Sequence, residues 1–164
     1  MFRLNYHHWE ALISKGIQNI TDSDINHVSI EVCGFIYEAH IYTGVRKVAI
    51  EDWDNSTVYK VQEFDCSPKC MANAVAFLEK QVWKKYDTWW ALSFLWVFLK
   101  QKKGKWYCSE LAFVFLMKCF WILSCEYNQR KTPKDVYEIG NIIKHFFLPI
   151  DVMNKCETST LYMK

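Results

Sequence analysis

Hydrophobic and polar positions change their period midway along the chain. Residues 26–32 (Asn-His-Val-Ser-Ile-Glu-Val) and 35–41 (Phe-Ile-Tyr-Glu-Ala-His-Ile) alternate and are rich in β-branched and aromatic side chains. That period of two predicts strands, and Cys33-Gly34 between them predicts a tight hairpin turn. A third strand is expected over 45–50, after the turn signal Thr43-Gly44, and a fourth over 57–64. Beyond Pro68 the spacing becomes helical: Met71, Val75, Leu78 and Val82 share one face, with Lys80, Lys84 and Lys85 at polar positions. Tyr86-Asp87-Thr88 interrupts, and Asp87 or Thr88 can cap a helix over 89–99. A loop at 101–104 precedes a long apolar helix over about 107–123. Thr132-Pro133-Lys134-Asp135 reads as a helix start, with threonine as cap and proline in the first turn. Upstream, Trp9, Leu12, Ile13 and Ile17 predict a helix over about 7–17, ended by the polar run Thr21-Asp22-Ser23-Asp24. The expected fold class is α+β: an antiparallel sheet from the first half packed against helices from the second.

Composition narrows the class. The chain has 164 residues, 51% hydrophobic and 17% aromatic, enough for a core and too apolar for disorder. One domain spanning 1–164 is expected. A formal charge of +2 gives no reason to expect a nucleic-acid partner. Lys100, Lys102, Lys103 and Lys105 form a local basic run, read as a solvated loop, with a phosphate or lipid headgroup contact as the alternative. Seven cysteines without paired spacing, and no apolar run of signal-peptide length at the start, predict a cytoplasmic protein with free thiols. Cys66-Ser67-Pro68-Lys69-Cys70 is half of a zinc spacing without a second half, so neither a metal nor a cofactor is expected. No stretch reaches the ~20 apolar residues of a spanning helix.

The chemistry concentrates in two places. His27 opens the first strand of the hairpin, and Cys108 stands where a loop meets the apolar helix. A thiol attacks as thiolate, a helix start favours the anion, and an imidazole can take the proton and return it. The imidazole needs a third group to fix its orientation, and Glu38 is the candidate. With a two-residue turn at Cys33-Gly34, Val32 faces Phe35, Ser29 faces Glu38 and His27 faces His40. His27 and Glu38 then share a side of the sheet on a diagonal of about 7 Å. A three-residue loop would put Glu38 on the other face and make His40 the relevant neighbour.

The order Ile-Asn-His-Val-Ser-Ile, Ile-Tyr-Glu-Ala, Gly-Val-Arg, Lys-Tyr-Asp and Trp-Tyr-Cys-Ser-Glu-Leu resembles the permuted papain-fold proteins. These are circularly permuted relatives of NlpC-type cell-wall peptidases, the YiiX-like group, and more distantly of lecithin–retinol acyltransferase. The resemblance covers roughly residues 12–125. It implies a papain-like sheet packed on a nucleophile-bearing helix, with Cys108 as nucleophile, His27 as base and Glu38 as third member. It also implies Tyr86 as an oxyanion or substrate contact, with a helix junction as the other reading of that position. The implied activity is a cysteine hydrolase acting on an amide, ester or thioester through an acyl-enzyme, with an acyl, peptide or lipid-linked substrate.

Two alternatives stand beside it. The aromatic cluster Trp89-Trp90, Trp96 and Phe98 beside lysines suits a lipid-directed acyltransferase at a membrane surface. The aromatic-rich composition also suits a non-catalytic phage or viral accessory module that binds a host protein, acting in the host cytoplasm.

Overall fold

A computed structural model describes residues 1–8, 23–87, 105–120 and 131–146. Five strands form one antiparallel sheet: β1 (Phe2–His7), β2 (His27–Val32), β3 (Phe35–His40), β4 (Gly44–Ala49) and β5 (Val58–Phe64). Their order is β4-β3-β2-β1-β5. A short 3-10 turn at Ile50–Asp52 follows β4. Three helices lie among the described residues: α1 (Pro68–Glu79), α2 (Cys108–Cys119) and α3 (Pro133–Phe146). The expected α+β class, with its antiparallel sheet in the first half, is what the chain forms.

The hairpin turn has the predicted length. Cys33 (φ 52°) and Gly34 (φ 79°) both take left-handed backbone, the requirement of a two-residue turn matched to strand twist. Val32 therefore faces Phe35 and Ile30 faces Tyr37. The next strand pair, β3 with β4, sets Glu38 opposite Arg46.

The N-terminal expectation needs correction. Residues 2–7 form β1, so His7 belongs to a strand and not to the start of a helix. Phe2-Arg3-Leu4-Asn5-Tyr6-His7 alternates cleanly, and β1 sits between β2 and β5 with Phe2, Leu4 and Tyr6 in the core. The remainder of the predicted 7–17 helix lies, apart from His8, outside the described residues. The helix predicted over 89–99, with its Trp89, Trp90, Trp96 and Phe98, and the loop at 101–104 lie outside them entirely. The thiol expectation changes as well: Cys33, Cys66, Cys108 and Cys119 are free, but Cys70 is disulfide-bonded.

The helices follow their sequence signals. Ser67 caps α1, its Oγ accepting from the Cys70 amide at 3.3 Å, with Pro68 in the first turn. Thr132 and Asp135 cap α3 reciprocally: the Asp135 amide donates to Thr132 Oγ1 at 3.1 Å and the Thr132 amide to Asp135 Oδ2 at 2.6 Å. α2 is apolar on nearly every side, with Leu111, Ala112, Phe113, Val114, Phe115, Leu116 and Cys119 all buried. Such a helix belongs in the centre of a core, and α2 packs against α1, α3, β2 and β3. No described helix is long and apolar enough to cross a membrane.

The loop after α1 docks on the edge strand β4. The Val45 amide donates to the Lys84 carbonyl and the Trp83 amide to the Val45 carbonyl, both at 2.8 Å. This close approach explains Gly44: its φ is 78°, and an added Cβ would lie 2.3 Å from the Lys84 carbonyl oxygen. Gly34 has a similar φ but open space around it. Gly34→Ala should therefore cost about 1–2 kcal/mol of backbone strain alone, whereas Gly44→Ala should cost clearly more in a urea titration. Equal costs would contradict the docked loop.

Candidate functional site

The site begins with a carboxylate taken out of water. Glu38 stands on β3, on the opposite face of the sheet from Tyr37 and Ala39, and is 1% exposed. One oxygen, Oε2, accepts from His27 Nε2 at 2.8 Å. The other, Oε1, accepts from Arg46 Nε at 2.8 Å and Nη2 at 2.5 Å. Burial works against the anion, but the hydrogen bond and charge of His27, together with Arg46, outweigh it and hold the carboxyl down at about 2.

His27 is 4% exposed, and Cys108, the first residue of α2, is 2% exposed. Glu38 occupies Nε2, which leaves Nδ1 as the ring nitrogen that can meet the thiol. Burial alone would disfavour the imidazolium. The charge of Cys108, a hydrogen bond with Cys108 and then Glu38 reverse that effect and raise the ring to about 9. Cys108 stands at an uncapped helix start, where the first amides have no partner within the helix and the dipole favours negative charge. The structure thus brings His27, Glu38 and Cys108 into one chain of contacts.

Tyr86 stands in the segment that leads into α2. An isolated parallel bridge joins Tyr86 to Trp106 and runs the chain into α2. Trp106 is anchored in turn by its Nε1, which donates to Gln81 Oε1 at 3.0 Å. The Tyr86 and Tyr107 rings lie 5.6 Å apart. Both phenols are raised well above the usual range, chiefly by burial. The neighbouring Cys108 adds to the upward shift of both phenols.

His7 also belongs to this neighbourhood. It pairs with His27 across β1 and β2, with ring centroids 5.1 Å apart. Its Nδ1 bonds with Thr57 Oγ1 and its Nε2 with Ser29 Oγ, both at 3.0 Å. Burial, then the neighbouring His27 charge, lowers it to about 3, so a neutral ring backs a charged one. A cavity of about 210 Å³ opens beside the pair, lined by His7, Glu38, Arg46, Trp53, Asp54 and Thr57.

Arg46, His7 and Tyr107 were not singled out from the sequence, although signals for all three existed. Arg46 falls opposite Glu38 once the Thr43-Gly44 turn is taken as the hairpin turn of β3 and β4. His7 required β1 to be read by its alternation. Tyr107 precedes the cysteine directly. His40 stays at the open end of the hairpin, beside Tyr42 and Thr43. Among the described residues no group of three or more His, Cys, Asp or Glu could hold a metal ion.

No protein-family model matches the chain, and no curated protein is significantly similar to it.

The ionisations predict a peaked pH profile of stability. His27, raised above its ordinary 6.5 to about 9, contributes fully below pH 6.5 and loses its contribution as pH rises toward 9. His7, lowered from 6.5 to about 3, contributes fully above pH 6.5 and loses its contribution as pH falls toward 3. Glu38, lowered from 4.5 to about 2, adds a further loss as pH falls below 4.5. Urea midpoints should peak near pH 6.5, and His7→Gln should flatten the decline between 6.5 and 4.5. A profile flat from pH 5 to 9 would contradict these assignments.

Proposed function

We propose that the chain is a cysteine hydrolase of the permuted papain type, cleaving an amide, ester or thioester through an acyl-enzyme. One observation carries the reading: a buried imidazole held by a carboxylate on one nitrogen, whose leading upward influence is the thiol at the start of α2. The order of elements supports the family likeness, because the histidine strand precedes the cysteine helix and the sheet packs directly on that helix.

In this reading Cys108 Sγ attacks the carbonyl carbon while its proton goes to His27. Glu38, clamped by Arg46, keeps the ring oriented and stabilises the imidazolium. The tetrahedral oxyanion takes a hydrogen bond from a free amide at the start of α2. Collapse breaks the bond to the leaving group, which takes the proton from His27. Water, deprotonated by His27, then attacks the acyl-enzyme and releases the acid and the thiol. Tyr86 is the candidate oxyanion or substrate contact, with the Tyr107 ring beside it.

Acyl transfer at a membrane surface would share every step except the acceptor. The observation that favours it is Trp83, 84% exposed and next to Lys84 and Lys85. A host-binding accessory role would need neither the thiol nor the ring.

The test is competitive labelling with a small thiol-directed electrophile at neutral pH, mapped by mass spectrometry. Cys108 should label faster than the exposed free Cys33 despite its burial, and His27→Gln should slow Cys108 by about 100-fold or more. Labelling of Cys108 that is slower than Cys33 and indifferent to His27→Gln would overturn the proposal.

A further inference from the structure

We propose that the corner formed by the β3–β4 hairpin tip and the loop after α1 is a membrane-docking surface, fitted to the anionic headgroups of a phospholipid bilayer. This inference concerns attachment and makes no use of the reaction proposed for Cys108. Two aromatic side chains stand in solvent at this corner. Tyr42, in the hairpin tip between the paired residues His40 and Gly44, is 87% exposed, and Trp83 in the loop is 84% exposed. The backbone joins the two segments: Val45 is hydrogen-bonded to both Trp83 and Lys84 at 2.8 Å, and Gly44 abuts the Lys84 carbonyl. The loop is also anchored from beneath, where Gln81 Oε1 accepts from Lys84 Nζ at 2.7 Å and from Trp106 Nε1 at 3.0 Å. Trp83 holds a left-handed backbone, with φ at 70°. A bulky residue is an outlier in that region, and glycine fits it at less cost. The chain thus keeps a large ring on strained backbone where it touches almost no protein, and strain of this kind clusters at ligand clamps.

The charge around the rings selects the partner. Residues 80–86 carry Lys80, Lys84 and Lys85, all exposed, and neither they nor residues 39–48 contain an Asp or Glu. Of the flanking acids, Glu38 is paired with Arg46, Glu79 is paired with Lys47, and Asp87 is fully buried. Among the described residues no carboxylate pairs with Lys80, Lys84 or Lys85. The corner is therefore positive as well as aromatic. Tryptophan and tyrosine settle at headgroup level, with the ring inward and the polar atom in water, and neighbouring lysines are drawn to anionic lipid. An anchor for a protein partner sits instead at the centre of a packed patch that shuts out water. These two rings stand on separate tips, each in water on nearly all sides, which suits a deformable headgroup layer.

The experiment sediments the full chain with vesicles of phosphatidylcholine alone, or of phosphatidylcholine with about one-quarter phosphatidylserine, at low and high salt. Binding to the anionic vesicles at low salt is expected, with release at high salt and little binding to phosphatidylcholine. Lys84→Gln with Lys85→Gln should weaken that binding by about 30-fold. Trp83→Gly should weaken it by about 10-fold or more. Its urea midpoint should stay close to that of the native chain, because relief of the left-handed backbone offsets glycine's extra freedom when unfolded. A native chain that stays in the supernatant of anionic vesicles would overturn the proposal, and its retention on immobilised poly-glutamate would then assign the corner to an acidic protein. Equal binding to anionic vesicles by the native chain, Trp83→Gly and the double lysine variant would also overturn it, by placing the contact elsewhere.

Discussion

A carboxylate buried between an imidazole and a guanidinium is the constraint on which this structure turns. Taking Glu38 out of water costs several kcal/mol unless its lone pairs and charge are met. Three hydrogen bonds meet them, one from His27 and two from Arg46. Those partners come from different strands, so the charge can be satisfied only in one register of β2, β3 and β4. A slip of one residue in either hairpin would turn Glu38 toward the opposite face and leave a buried ion without partners. The left-handed pair Cys33-Gly34 and the constrained Gly44 fix those registers from the turn side. Turn chemistry and ion pairing therefore specify the same arrangement, the consistency expected of a well-determined fold.

The thiol arrives by a different route. Beyond its first turn, α2 is held by apolar contacts on almost every side. Its first residue is aimed by the segment before it, where Trp106 is tied to Gln81 by a side-chain hydrogen bond and to Lys85 and Asp87 by backbone hydrogen bonds. At the far side of the helix start, Ser109 Oγ donates to the Lys131 carbonyl. A rigid, core-packed helix start delivers one sulfur to a ring that the sheet has already oriented. Such pre-organisation by packed elements is what a reactive constellation requires.

Much of this was legible in the sequence because turns and periodicity are local. Cys33-Gly34 gave the hairpin, the hairpin gave the diagonal between His27 and Glu38, and the apolar run after Cys108 gave the helix. What was missed depended on competition between local signals or on contacts distant along the chain. Trp9, Leu12, Ile13 and Ile17 suggested a helix strongly enough to hide the alternation of Phe2 to His7, and with it the second histidine. Arg46 is an unremarkable strand arginine until its cross-strand partner is known to be buried. The disulfide at Cys70 leaves no trace in the cysteine spacing.

The most direct measurement is the titration of the His27 ring by NMR, in the native chain and in Cys108→Ala. A ring seated against the sulfur should titrate near 9 in the native chain, and its pKa should fall when the sulfur is removed, since Cys108 supplies the leading upward contributions. An identical titration in the two proteins would mean that ring and thiol occupy separate environments, and would contradict the proposed site.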